Sequence, residues 1–235
     1  MIQIKVLAVD SSSVSASVAI LDDNKILTEL YINAGLTHSQ TLAPMIDFAV
    51  KSCNLDLKDI DFLAVTSGPG SFTGIRIAVA TVKGMAIGLN KKCAGVSSLL
   101  AASYPSKDFD GLVCACMDAR RGEIYNAIYD FRKKELIRVK ADRAISIKDL
   151  GKEIFELKSK VKLVGDGAEM CYNTLLEMGV NNIYLSLEHE RFVNASSVAK
   201  IAVNLPKEYI LNPEDLNPKY LRVSQAERLL KEKNF

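Results

Sequence analysis

Residues 6–21 read VLAVDSSSVSASVAIL. The apolar run that begins at Ile4 ends at Val9; Asp10 closes it, and the turn-prone Ser11, Ser12 and Ser13 follow. From Ser15 the pattern alternates. Ala16, Val18 and Ile20 fall opposite Ser15, Ser17 and Ala19, the period of a strand with one face buried. Asp22, Asp23 and Asn24 make the next turn, and Lys25 to Ile32 reads as a third strand. The chain therefore opens on antiparallel strands rather than on a strand-to-helix crossover.

The elements that follow extend this start into an α/β unit. His38 to Cys53 is helical, with Leu42, Met45, Ile46, Ala49, Val50 and Cys53 along one stripe. Phe62 to Thr66 is a strand, and the turn SGPGSFTG leads into a helix over Ile75 to Leu89. That helix carries a strip of small residues, Ala80, Gly84 and Gly88. A glycine inside a helix costs about 1 kcal/mol against alanine, so the strip predicts close approach of another helix backbone. Cys93 to Val96 is a strand and Ser97 to Ser103 a helix.

Polar, punctuated Pro105 to Asp110 marks a boundary, dividing the chain into residues 1–104 and 105–235. The second part repeats the opening plan. Leu112 to Met117 is an apolar run closed by Asp118, and strands follow over Glu123 to Phe131 and Leu136 to Val139. Ser146 to Phe155, Ala168 to Met178 and Asn194 to Leu205 read as helices, and Val161 to Val164 and Ile183 to Leu185 as strands. The C-terminal part, about 191–235, is free to pack back on the first domain. Its charged end, Gln225 to Asn234, is either a helix or a frayed tail.

Composition narrows the function classes. The 235 residues are 49% hydrophobic and 25% charged, with a formal net charge of +2, too small for a dedicated nucleic-acid or membrane-surface binder. The basic pairs Lys91–Lys92, Arg120–Arg121 and Lys133–Lys134, with Lys219 and Arg222 beside Tyr220, are matched by acids and read as a solvated face. The start is read as lacking a signal peptide. No stretch reaches the roughly 18 uninterrupted apolar residues of a membrane span. Five cysteines sit mostly among apolar neighbours, as core residues in a reducing cytoplasm do. Cys114 and Cys116 share a strand face; they suit a core or half of a metal site whose other half is not visible.

Three candidate sites stand beside plainer readings. The turn Gly68, Pro69, Gly70, Ser71, Thr73, Gly74 between strand and helix can aim backbone N–H groups at an anion. It lacks the Gly-Lys-Ser/Thr of a Walker loop, and Thr73 stands where a dinucleotide fingerprint has its third glycine. The plainer reading is a rigid turn for close packing. Arg76, in the first turn of the following helix, opposes the helix dipole by up to about 1 kcal/mol, which predicts an acidic partner, within the chain or across an interface, or a bound anion. Asp10 and Asp118 close the first strand of each half. They either face each other across a cleft around hydrated magnesium, or each accepts bonds from its own turn. His38 and His189 are the two histidines. His38 has Leu42 rather than a second histidine four residues on, and no serine nucleophile elbow occurs.

These segments resemble a known family. VLAVDSSSVSASVAIL is similar to the first strand, acidic turn and second strand of the superfamily of sugar kinases, actin and heat-shock ATPases. AVTSGPGSFTGIRIAVATVKGMA (residues 64–86) resembles the signature of the bacterial TsaB family of tRNA threonylcarbamoyladenosine biosynthesis proteins, formerly called glycoprotease-like. HSQTLAPMID (38–47), MDARRGEIYNAIY (117–129), VGDGA (164–168) and NPKYLR (217–222) fit it too.

The resemblance implies two related actin-like domains, with mixed sheets flanked by helices, around a cleft. It implies a cytoplasmic, non-catalytic subunit that supports a TsaD-like catalytic subunit and works with a TsaE-like small ATPase. The complex moves threonylcarbamoyl to N6 of adenosine 37 in tRNAs reading codons that begin with A. ATP and metal then belong to the partner subunits, tRNA is met through the complex, and the docking surface is also open to homodimers. That surface maps onto His38, Leu42, Met45, Ala49, Ile77, Ala80, Thr81, Gly84 and Gly88. The cleft residues Asp10, Ser11, Asp118, Gly165 and Gly167 are vestigial. The first turn is serine-rich where the ATPases use glycine, and Leu42 removes the relatives' metal-binding histidine pair. The rival reading is an independent small ATPase or kinase using the Asp10–Asp118 cleft. A peptidase finds no nucleophile–base pair.

Overall fold

A computed structural model describes residues 4–132 and 136–222. The first strands are β1 (Lys5–Asp10), β2 (Ala16–Asp22) and β3 (Lys25–Ile32), followed by α1 (His38–Ser52), β4 (Phe62–Gly68), α2 (Phe72–Leu89), β5 (Lys92–Ser97) and α3 (Ser98–Ser103). The second half contributes β6 (Leu112–Asp118), β7 (Glu123–Asp130), β8 (Ile137–Ser146), α4 (Ile147–Glu156), β9 (Val161–Val164), α5 (Ala168–Glu177), β10 (Ile183–Leu185), α6 (Glu188–Arg191), α7 (Ala195–Ala202) and β11 (Ile210–Leu211).

The two halves share one topology. The first sheet runs β11-β5-β4-β1-β2-β3 and the second β10-β9-β6-β7-β8. In each, an antiparallel three-strand meander is joined through its first strand to two parallel strands. This is the repeated plan read from the two acid-closed strands. Both faces of β1 and β6 are covered, so their sequences are continuous apolar runs rather than alternations.

Three apolar cores make a layered molecule. One face of the first sheet packs under α1 and α2, through Leu7, Val9, Leu63 and Val65 against Leu42, Ile46, Ile75 and Val82. Its other face shares a core with α3, α7 and the facing side of the second sheet. The far side of the second sheet packs under α4 and α5. Cys114, Cys116 and Cys171 lie in this last core, fully buried, with the Cys114 and Cys116 sulfurs 3.7 Å apart. Hydrogen bonding to Cys114 and Cys171, with burial, holds the Cys116 thiol pKa well above its ordinary value.

The C-terminal stretch returns to the first sheet. β11 pairs antiparallel with β5, and α7 packs across β1 and β2. Asn194 caps α7 through Ser197 N, and the Glu29 carboxylate of β3 takes the Ser196 amide and hydroxyl.

α6 and β11 were not read from the sequence, and two elements differ from their reading for a clear physical reason. β8 continues to Ser146 rather than ending near Val139, because Lys140, Asp142 and Arg143 lie on an edge strand where charges find partners: Lys140 and Arg143 meet Glu153, and Asp142 takes Ser97 and Tyr129. α2 begins at Phe72, three residues early, because the Ser71 side chain caps it at Gly74 N. The charged stretch Gln225 to Asn234 lies outside the described residues.

Candidate functional site

The glycine turn closes onto the first turn of the chain. The Ser71 amide donates to Ser12 O at 2.7 Å, and Ser11 Oγ donates to Gly74 O at 2.9 Å. The Gly74 amide is taken by Ser71 Oγ at 3.2 Å. The positions that side chains at Gly70 and Gly74 would fill are occupied by the carbonyls of Ser12 and Ser11. Gly68, at φ +118° and followed by a cis bond to Pro69, is covered by the carbonyl of Lys219, whose amide donates to Ser67 O at 2.7 Å. Thr73 stays exposed. The amides of Ser71 and Gly74 are thus spent inside the chain, as a packing turn spends them.

Each of the two strand-closing aspartates accepts an amide of its own turn. Asp10 is fully buried; its Oδ1 accepts from Thr66 Oγ1 at 2.5 Å and from Ser12 N at 3.1 Å, while Oδ2 has no partner. Burial pushes its pKa up, against the pull of the Thr66 and Ser12 bonds. With no exposed surface, Asp10 is out of reach of a hydrated cation unless the turns part. Asp118 is exposed and accepts from Arg120 N at 2.6 Å. Among the described residues no bond joins the two aspartates, and no group of three or more His, Cys, Asp or Glu is set to hold a metal.

Gly165 and Gly167 bring the β9–α5 turn against Cys116 O, which accepts from Gly167 N at 2.9 Å. Asp166 between them was not singled out from the sequence. Its Oδ1 accepts from the Asp118 amide at 3.0 Å, and burial, with the Asp118 charge beside it, lifts its pKa to about 6. An acid between two glycines was the available signal.

The helix pair α1–α2 presents the molecule's open apolar face, but with other residues than the stripe suggested. Leu42, Met45 and Ala49 are buried in the chain's own core, at 1%, 5% and 0% exposure. This corrects their placement on a partner surface: the apolar stripe of an amphipathic helix seeks the nearest sheet first. His38 is half-buried, its Nε2 2.9 Å from Ser13 O. Ala80, Gly84 and Gly88 are exposed, with Ile77 and Thr81 half-buried beside them. Side chains at Gly84 and Gly88 would meet nothing within 4 Å, so among the described residues no helix approaches the strip. Ile87 borders the strip at 56% exposure, and Phe48 on α1 is 61% exposed. Both were missed; an apolar residue off the buried stripe was the signal. Between the helices lies a groove of about 580 Å³ lined by Ala43, Ile46, Val50, Thr81 and Met85.

α2 as a whole is long and apolar enough to cross a membrane, with mean hydropathy 1.4 over 18 residues. Its inner side is already committed, because Ile75, Ala78, Val79, Val82 and Ala86 are buried against the sheet.

Among the described residues no carboxylate pairs with Arg76. With α2 starting at Phe72 it is the fifth helical residue, past the strongest part of the dipole. Its guanidinium lies 3.7 Å from the Phe72 ring centroid and 5.5 Å from that of Tyr220, and Nε donates to the Tyr220 hydroxyl at 2.7 Å.

Comparison with known proteins follows the same outline. Residues 33–232 match the family model described as TsaD: tRNA N6-adenosine threonylcarbamoyltransferase. The tRNA threonylcarbamoyladenosine biosynthesis protein TsaB of Bacillus subtilis is 25% identical over 94% of this chain and 96% of its own length. The TsaB protein of Buchnera aphidicola subsp. Schizaphis graminum is 31% identical over 69% of this chain and 78% of its own. The solved structure of YeaZ from Pseudomonas aeruginosa superposes with TM-score 0.77 at 24% identity, covering 93% of this chain and all of that one, a likeness of fold.

Proposed function

Because this chain belongs to the TsaB family and so takes part in tRNA threonylcarbamoyladenosine biosynthesis, we propose that it is the scaffold and activating subunit of the transferring complex rather than its catalyst. The observation that carries this reading is the exposed strip Ala80, Gly84, Gly88 with Ile87 beside it. Small residues let a second helix backbone come close, and the exposed apolar side chain at its border gains by being covered. The partner is a TsaD-like catalytic subunit, built on the same fold and able to offer an equivalent helix pair. A TsaE-like ATPase completes the assembly, tRNA is engaged through it, and the same face permits a homodimer in concentrated solution. The setting is cytoplasmic.

The cleft supports a non-catalytic role. In an ATPase of this fold the first turn approaches phosphate; here Ser11 and Ser12 bond to the glycine turn instead, and Asp10 is sealed beneath them. ATP and metal are accordingly assigned to the partner subunits.

The test is threonylcarbamoyl transfer to unmodified tRNA by the purified catalytic and ATPase subunits, with and without this chain, with binding followed in the same samples. Transfer that depends on the chain, and a stable complex with the catalytic subunit, are expected. Transfer indifferent to it, or ATP turnover by this chain alone that is lost in Asp10→Ala, would overturn the assignment.

A further inference from the structure

We propose that Arg76 is the charged anchor of the α2 face, that it pairs with a carboxylate on the catalytic subunit, and that the C-terminal strap sets its position through Tyr220. This rests on the docking role assigned above and adds the chemistry of the contact.

Arg76, Ala80, Gly84 and Gly88 follow one another at four-residue spacing, so the arginine heads the exposed strip. Exposed arginines ordinarily sample many rotamers. This one is held on three sides: the Phe72 ring beneath it, the Tyr220 ring beside it, and the Tyr220 hydroxyl on Nε. The two rings also contact each other, with centroids 5.0 Å apart. Among the described residues no carboxylate pairs with Arg76, which leaves the edge formed by its two terminal nitrogens open. A planar guanidinium with that edge free is shaped for two parallel bonds to one carboxylate. Its ordering entropy is already spent, which is what makes such a group effective at an interface.

Tyr220 is 144 residues away in the chain and reaches Arg76 because the strap is fastened along its length. Lys83 Nζ of α2 holds the carbonyls of Glu214 and Leu216, Leu216 is buried in the α2 core, and the Lys219 amide bonds Ser67 O. Beyond Tyr220, Arg222 pairs with Glu123 and donates to Ala119 O in the second half of the chain. Tyr220 is therefore a positioning residue.

The test measures affinity for the purified catalytic subunit, by calorimetry at low and high salt, for wild type, Arg76→Ala, Arg76→Lys, Arg76→Glu, Tyr220→Phe and the Arg76→Ala/Tyr220→Phe double variant. Arg76 and Tyr220 are exposed, and thermal unfolding checks that each variant is folded. Arg76→Ala is expected to weaken binding about tenfold or more and Arg76→Glu further, with Arg76→Lys between wild type and alanine. Tyr220→Phe should lose about threefold, and nothing more once Arg76 is alanine. The salt dependence should shrink in Arg76→Ala. If wild type binds and supports transfer while the Arg76 variants bind within twofold of it, the anchor is wrong and the docking role stands. An equal Tyr220→Phe loss in both backgrounds overturns the positioning role alone. Absence of binding by wild type overturns both the anchor and the role on which it rests.

Discussion

The carbonyl of Ser12 fills the space into which a side chain at Gly70 would project, and the same carbonyl accepts the amide of Ser71 at 2.7 Å. The Ser11 carbonyl likewise fills the space of a side chain at Gly74, whose own carbonyl accepts Ser11 Oγ at 2.9 Å. The two turns are packed backbone against backbone and joined by hydrogen bonds. The contact makes the glycines a requirement of packing, and it separates glycines that matter inside the chain from those that matter outside it.

Gly74→Ala and Gly84→Ala should move stability in opposite directions. Both replace a glycine within α2, a change that ordinarily stabilises by about 1 kcal/mol. At Gly84 the new methyl meets nothing within 4 Å, so the full gain is expected. At Gly74 it meets the Ser11 backbone, and a net loss of about 1–3 kcal/mol is expected. Urea denaturation of the two variants checks the sign.

Gly84→Leu separates folding from docking. The side chain projects into open space, so the chain should fold with stability at or somewhat above wild type. Affinity for the catalytic subunit should drop at least about fivefold, because a branched side chain holds the second helix away. Unchanged affinity in a folded variant would remove Gly84 from the interface.

Asp166 gives stability a pH dependence with a definite sign. Its folded-state pKa is raised from 3.8 to about 6 by burial and by the neighbouring Asp118 charge. Between those values the folded chain holds a proton that the unfolded chain has lost, so stability falls as pH rises through that window. Asp166→Asn keeps an acceptor for the Asp118 amide and removes the charge. Its stability at pH 7 should exceed that of wild type, and its profile between pH 4 and 6 should be flatter. Asp10, raised by its own burial, leaves part of the slope in place.

The strap is held by its apolar residue as much as by its polar bonds. Leu216 is 1% exposed, between α2 and Gly95. Leu216→Ala should cost about 2–5 kcal/mol and lower the chemical-denaturation midpoint. It should also weaken docking if the strap sets Arg76, an effect read separately from stability by measuring affinity well below the unfolding midpoint.

Much of the fold was legible because local patterns sufficed. Acid-closed apolar runs at Asp10 and Asp118 gave the first strand of each sheet and the duplication, since a strand buried on both faces must be apolar throughout. The site was legible only in part. Helical spacing identified an apolar stripe at Leu42, Met45 and Ala49, but periodicity reports that a face is buried, not what buries it; the chain's own sheet does. The small-residue strip was visible too, yet its openness was not, because an unfilled space around Gly84 depends on every neighbouring element.

The sequence by itself determined most of the strands and helices, where the glycine turn falls and that the second half repeats the first, because these follow from propensity and spacing along a few consecutive residues. Only the tertiary structure decided that Ser12 closes on Gly70, that Asp10 is sealed, and that Tyr220 reaches Arg76. Each of those contacts joins residues far apart in the chain, and their geometry is fixed by the packing of whole layers rather than by any local pattern.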